Sequence, residues 1–376
     1  MPPKKKIETG NEIATSRSSE LRNIVNAHLG DSSDQAQMAD HEMYKSGYWS
    51  TGILPIDVLL GGGVAKGRMA LASGESQTLK SLIGLSTVAQ VQRQGGTAAY
   101  IDTEKGFQQG WAEQLGINMS ELILIQPKVA EVALDQMEVL VHNDVDYVCF
   151  DSIATMLPNS ERELQLSGKA NNQPARIAAL MALSLRKLNA ANSKTAILWV
   201  TQMRDNIGAM PMQAKTIKTG GKSIEYYVSQ SFALKKVGSV KMDVRYFDGE
   251  KKDVIAKKQV GQKFRAELLK ARNKSPFDIQ HLIFDYASGK VDQATYLMAQ
   301  GLELGLVDTS GSWWTYTDVD TETGEVIGEH KANSKDNFHD LLETTPEAYN
   351  SIMDKVCAKY GLDKESYAYY APKELV

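Results

Sequence analysis

One stretch leaves few folds open to this chain: Gly74-Glu75-Ser76-Gln77-Thr78-Leu79-Lys80-Ser81. An apolar run at 69–73 precedes it and reads as a short buried strand, and 82–91 follows as a helix. Strand, loop ending in Lys-Ser, and helix are the setting a phosphate-binding loop needs. Backbone N–H groups and a helix N-terminus converge there on one place, and an anion satisfies them. Lys80 would bring a point charge to the β/γ-phosphates and Ser81 a hydroxyl to Mg²⁺. The usual pattern has glycine before the lysine, where this chain has Leu79. Glycine permits backbone angles that leucine disfavours. The position opens a helix, however, so ordinary helical angles, with the side chain turned away, are expected for Leu79. Taken alone, the loop could equally be a plain strand-to-helix turn with a solvated lysine.

The 376 residues suffice for one large domain with appendages or for two domains. No uninterrupted apolar window is long enough to span a bilayer, so no membrane partner is expected. The opening Met-Pro-Pro-Lys-Lys-Lys has no apolar run behind it, which argues against a secretory signal. Cys149 falls within an expected core strand. A disulfide with Cys357 is therefore not expected, and a reducing cytoplasm is. The net charge of −4 conceals an asymmetry. Residues 204–274 carry 17 Lys/Arg against 7 Asp/Glu, and 291–376 carry 6 against 16. Such a division suggests a local polyanion site and an acidic domain elsewhere, or else two solvated faces.

Residues 1–45 are polar apart from 19–29, where Leu21, Ile24, Val25 and Leu29 share a helical face. Strands are expected at 69–73, 98–102, 122–126, 147–151 and 195–201, and helices at 80–93, 129–142 and 174–192. The strands are near-continuous apolar runs, as when both faces are covered. An α/β fold with a mostly parallel twisted sheet follows. Ligands in such sheets bind at the carboxyl ends of the strands, where Glu104, Asp151, Ser152 and Gln202 fall. The basic stretch 235–263 reads as hairpins turning at Asp248-Gly249, and 264–270 as a separate strand. From 291 the pattern is helix, an aromatic strand at Trp313-Trp314, a turn at Thr323-Gly324, and helix again.

These pieces, in order, resemble the RecA-type homologous recombinases, including the UvsX-type members of phages. The matching segments are Gly61-Gly62-Gly63 with Gly67-Arg68, the phosphate loop, Ile101-Asp102-Thr103-Glu104, Cys149-Phe150-Asp151-Ser152, Val200-Thr201-Gln202-Met203-Arg204, Thr219-Gly220-Gly221-Lys222, and Lys270 to Phe277. The resemblance implies a RecA-like P-loop ATPase core at 46–290. An N-terminal helical oligomerisation segment at 1–45 and a small α+β C-terminal domain at 291–376 would flank it. It implies ATP and Mg²⁺ as cofactors, with Gly74 to Ser81 around the phosphates and Ser81 and Asp151 at the metal. Glu104 would polarise the attacking water, aided by Lys80. Gln202 would sense the γ-phosphate. Trp111 falls where the family stacks an aromatic on adenine, or it simply packs at a helix start. Lys270 and Arg272 match a basic pair that reaches a neighbouring subunit's nucleotide. Arg162, Arg176, Arg204, Lys218, Gly220, Gly221 and Lys222 are the DNA candidates, Gly-Gly N–H groups and flanking cations being suited to tracking phosphates.

The implied partners are single- and double-stranded DNA, further copies of the chain in a helical filament, a single-strand-binding protein and a loader. The expected activity is ATP-dependent strand exchange in recombination and repair. A non-catalytic RecA-like mediator and a RecA-core helicase or clock-type ATPase are the rival readings.

Overall fold

The computed structural model describes residues 19, 21–27, 47–162, 173–205, 216–218, 223–247, 253–272, 278–320 and 323–370. The chain divides into two compact units, residues 1–47 and 48–376. In the first, residues 21–27 form helix α1, with Leu21, Ile24 and Val25 exposed.

The second unit opens with β1 (Tyr48–Trp49), α2 (Leu54–Leu60) and β2 (Val64–Ala65). An alternating stretch follows: β3 (Met69–Gly74), α3 (Lys80–Arg93), β4 (Ala98–Asp102), α4 (Gln109–Gln114), β5 (Leu122–Ile125), α5 (Ala130–His142), β6 (Tyr147–Asp151), α6 (Asn159–Arg162), α7 (Gln173–Ala191) and β7 (Ala196–Asp205). Next come β8 (Thr216–Lys218), α8 (Ser223–Tyr227), β9 (Gln230–Phe247), β10 (Asp253–Lys270), β11 (Ile279–Asp285) and β12 (Lys290–Val291). The chain ends in α9 (Gln293–Glu303), β13 (Val307–Ser310), β14 (Trp313–Val319), β15 (Val326–Ala332), α10 (Lys335–Thr344), α11 (Pro346–Tyr360) and a 3₁₀ segment, Lys364–Tyr370.

The large sheet runs β12-β11-β10-β9-β3-β7-β6-β4-β5, with β8 paired to β7. From β9 to β5 the neighbours are parallel, while β10, β11 and β12 extend the sheet antiparallel. Alternation along each strand explains the apolar runs. Ala70, Tyr100, Cys149 and Leu198 face one buried cluster with α3, and Leu71, Ile101, Phe150 and Trp199 face another with α5 and α7. Gly84 lets α3 approach β6 closely, because a Cβ there would lie 2.5 Å from Cys149 Sγ. Both cysteines are buried and free. Among the described residues, no helix is long and apolar enough to cross a membrane.

A third cluster joins Leu54 and Val58 of α2 to α9, α10 and α11. Polar ties run beside it. Gln293 accepts from Leu54 N and donates to Gly52 O, and Gln90 of α3 donates to Ser366 O at 2.6 Å. Asp57 is fully buried and accepts from Ser50 Oγ, Thr51 N, Thr51 Oγ1 and Tyr367 OH. Burial pushes its carboxyl up to about 6.

Two expectations change. The basic stretch is one hairpin of two long strands, and 264–270 belongs to β10 rather than standing apart. The unbroken register from Phe247↔Asp253 to Ser231↔Lys270, interrupted only by bulges, carries the strand through. Leu79 does not have helical angles: its φ is 65° and ψ 6°, in the left-handed region. The loop must reverse direction between Gly74 and the first turn of α3, and the reversal falls on this residue and on Gln77, whose φ is 59°. The Leu79 side chain is half-buried against the α3 cluster, which helps hold it there.

Candidate nucleotide site

β3 lies at the centre of the sheet and delivers Gly74 to its carboxyl edge, in register with Gln202 of β7 and Leu234 of β9. A side chain at Gly74 would be impossible, since its Cβ would sit 2.6 Å from both Leu234 O and Thr78 Oγ1. The loop then curls around the Lys80 side chain. The ammonium donates to Gly74 O at 3.2 Å, Glu75 O at 2.5 Å and Thr78 Oγ1 at 3.0 Å. Lys80 is only 6% exposed. Burial lowers its pKa, and the nearby Asp151 and Glu104 carboxylates act against that shift.

β6 places Asp151 beside the first turn of α3. Its Oδ2 accepts from Ser81 Oγ at 2.6 Å and from Tyr100 OH at 2.5 Å. Burial raises the Asp151 pKa, and these two donors pull it back. Tyr100 sits one pleat below on β4, and burial followed by the Asp151 charge raises its phenol well above the usual range. Thus a hydroxyl and a carboxylate, both hard oxygen donors of the kind that suits a divalent cation, meet beside the loop.

Glu104 follows β4 and is exposed. Its Oε1 accepts from Ser152 Oγ at 2.6 Å and from Gln202 Nε2 at 2.9 Å. The turn carrying it is tied by Asp102, which accepts from Phe107 N at 3.0 Å and Gln126 Nε2 at 2.9 Å. The ends of β4, β6 and β7 are thereby linked across one edge.

These groups border a cavity of about 620 Å³, within the roughly 300–1,000 Å³ usual for small-molecule sites. Residues 76–82, Glu104, Asp151 and Gln202 line one side. Trp111 is half-buried, packs on the α3 cluster and also lines the cavity, so both of its expected roles have a basis. The opposite wall is Phe264, Phe284 and Tyr286 with the polar Lys236, Gln259 and Gln262. Sequence reasoning missed this wall and Tyr100. Their approach depends on β10 and β11 folding back beside β9, and in sequence they look like ordinary strand residues.

Other expected residues lie elsewhere. Lys270 does not line the cavity. It pairs with Ser231, which is level with Leu71, toward the far edge of the sheet, and its ammonium donates to Glu225 O at 2.6 Å. Burial and Arg272 lower its pKa, and Arg272 is likewise outside the cavity. Arg162 is exposed at the end of α6, and Arg176 donates to Ser160 Oγ on that helix at 2.8 Å. Arg204 and Lys218 fall on the short β7–β8 pair, at successive register positions. Gly220, Gly221 and Lys222 lie outside the described residues.

Comparison with known proteins agrees with this architecture. A family model described as the RecA N-terminal domain matches residues 21–290. Protein RecA of Azoarcus sp. (strain BH72) is 32% identical over 317 residues, 83% of this chain and 84% of that protein. Protein RecA of Desulforapulum autotrophicum is 32% identical over 329 residues, 86% and 85% of the two chains. Protein RecA of Rhodopirellula baltica is 33% identical over 316 residues, 83% and 77%.

Proposed function

The chain belongs to the RecA family, and on that premise we propose that it is an ATP-dependent DNA recombinase acting in recombination and repair. The observation that carries this reading is the joining of four groups at one sheet edge: Lys80 in its loop, Ser81 with Asp151, Glu104, and Gln202 bonded to Glu104.

Each group has a part suited to its place. The loop N–H groups and Lys80 bind the phosphates, and Lys80 exchanges its carbonyl partners for phosphate oxygens. Ser81 and Asp151 would hold Mg²⁺, which when bound offsets charge on the phosphate oxygens. Tyr100 orients the Asp151 carboxylate toward Ser81. Glu104 orients a water and holds its proton as that water attacks. Gln202 can donate to Glu104 or to a phosphate oxygen. Either choice bears on the end of β7, which carries Arg204 and pairs with β8.

Lys270 and Arg272 do not line their own cavity, so we assign them to a neighbouring subunit's nucleotide. The protein would then hydrolyse ATP only when assembled, as a helical filament on single-stranded DNA. Residues 1–45 would serve as a joining segment and residues 291–376 as a small C-terminal domain packed on α2 within the same compact unit as the core. The cytoplasm, with a single-strand-binding protein and a loader as helpers, is the proposed setting. The complete set of Lys80, Glu104, Asp151 and Gln202 speaks against a non-catalytic mediator.

The test is ATP hydrolysis with and without single-stranded DNA, for wild type and Glu104→Ala. Stimulation by DNA that is abolished in the variant is the expected result. Negligible wild-type turnover, with tight ATP-dependent DNA binding, would overturn the catalytic reading in favour of a mediator.

A further inference from the structure

The outer part of the basic stretch 235–263 has no part in the site chemistry, yet the fold gives it a distinct form. β9 pairs with β3 only as far as Leu234, and β10 pairs with β11 only from Gly261 onward. Among the described residues, 241–247 and 253–259 pair only with each other. At about 3.4 Å per residue, the seven residues 241–247 carry this two-stranded ribbon roughly 24 Å further. Because β9 runs parallel to β3, it leaves the sheet at the edge that holds the phosphate loop. The β7–β8 pair leaves the same edge on the other side of β3.

The ribbon's root and its outer part differ in chemistry. At the root, Lys236, Gln259 and Gln262 form part of the nucleotide cavity. Lys236 Nζ donates to Gln77 Oε1 of the phosphate loop at 3.3 Å, and Gln259 Nε2 donates to Tyr286 OH at 3.0 Å. Lys241 is exposed across from Gln259, and further out Lys257 and Lys258 are exposed, with Asp243 across from Lys257 and Met242 across from Lys258. Residues 235–263 hold nine Lys/Arg against four Asp/Glu, a net of +5 in a chain of net −4; of these, the outer 241–259 hold six against four, a net of +2.

A two-stranded hairpin alone is marginally stable in water, so a ribbon of this length is expected to lie against a partner. Its charge selects a polyanion. Its shape selects a duplex, whose major groove, about 12 Å wide, admits a two-stranded ribbon. We infer that the outer part of the β9–β10 ribbon is an arm that holds duplex DNA through its phosphates. The arm is rooted in the wall of the nucleotide cavity, so the state of that cavity bears on its position. The coupling to nucleotide rests on the recombinase reading above; duplex contact by the arm does not.

The full-length protein is tested as wild type and as the triple variant Lys241→Gln/Lys257→Gln/Lys258→Gln. Binding to a labelled duplex is followed across a salt titration, alongside hydrolysis stimulated by single-stranded DNA. With three phosphate contacts removed, the slope of log K against log salt should fall by about 2.7, and duplex affinity should drop roughly tenfold or more. Hydrolysis stimulated by single-stranded DNA should be retained. Unchanged duplex affinity and slope would overturn the arm. Arm-dependent duplex binding without any DNA-stimulated hydrolysis in the wild type would keep the arm and overturn the recombinase reading. A second variant avoids charge removal altogether. Met242→Cys carries a photo-cross-linker, its thiol labelled selectively because Cys149 and Cys357 are buried. Cross-linking to duplex DNA is expected, whereas cross-linking to a second copy of the chain, or to nothing, would overturn the proposal.

Discussion

Leu79 offers a test of the phosphate loop in which two readings differ in sign. Its φ of 65° and ψ of 6° are left-handed, a conformation that costs a residue with a Cβ about 1–2 kcal/mol. The comparison to make is Leu79→Gly against Leu79→Ala. Both lose the same leucine contacts with the α3 cluster, so that loss cancels in the difference. What remains is the Cβ. Glycine escapes the left-handed cost but has about 0.4–1 kcal/mol more unfolded-state entropy to lose. The balance favours glycine over alanine by about 0.5–1 kcal/mol. If the residue were ordinary first-turn helix, alanine would instead be favoured, by about 1 kcal/mol. Urea unfolding of the two variants, followed by circular dichroism in nucleotide-free buffer, decides the matter. The expected order of midpoints is Gly above Ala. Alanine above glycine would refute the left-handed assignment, and with it the view that the loop is already bent toward its ligand before one binds.

Two further outcomes follow from the structure. Tyr100→Phe removes one of the two donors to Asp151 Oδ2, a hydrogen bond to a charged group worth about 1.5–3 kcal/mol. The Mg²⁺ concentration for half-maximal nucleotide binding should rise severalfold with the fold intact, as read by Mn²⁺ titration with electron paramagnetic resonance; an unchanged metal dependence would show that Asp151 is held without Tyr100. His339, bonded to Asp292 at 3.1 Å, has its pKa raised from 6.5 to about 9, chiefly by that hydrogen bond. A raised folded pKa means that its stabilising contribution is complete below pH 6.5 and is lost as the pH climbs through about 9. The urea midpoint of wild type should therefore decline across that window, and His339→Gln should flatten the decline; parallel curves would refute the pairing.

Much of the site was legible in the chain itself, for a local reason. A strand-loop-helix ending in Lys80-Ser81 carries its geometry within about a dozen residues, and apolar strands closed by Asp151, Glu104 and Gln202 announce the edge on which their side chains fall. Helix α3 begins at Lys80 and ends at Arg93, and β4 and β6 span the residues their apolar runs mark, because period and terminators are local properties. The backbone of Leu79 was not legible in this way. Helix propensity speaks for leucine at that position, while the closing of the loop onto Gly74 and Lys80 imposes the left-handed turn.

The order of polar groups along the chain, and hence the family and the candidate phosphate loop, was determined by sequence alone, because each motif is a short segment whose backbone and side chains act together. Only tertiary structure decided that Tyr100 props Asp151, that Ser152 and Gln202 share Glu104, and that Lys270 lies away from its own cavity. It alone also decided that β10 and β11 wall the nucleotide site while the ribbon above them stands out from the sheet. Each of these depends on strand order and register, which are set by how distant apolar faces pack rather than by any residue's neighbours in the chain.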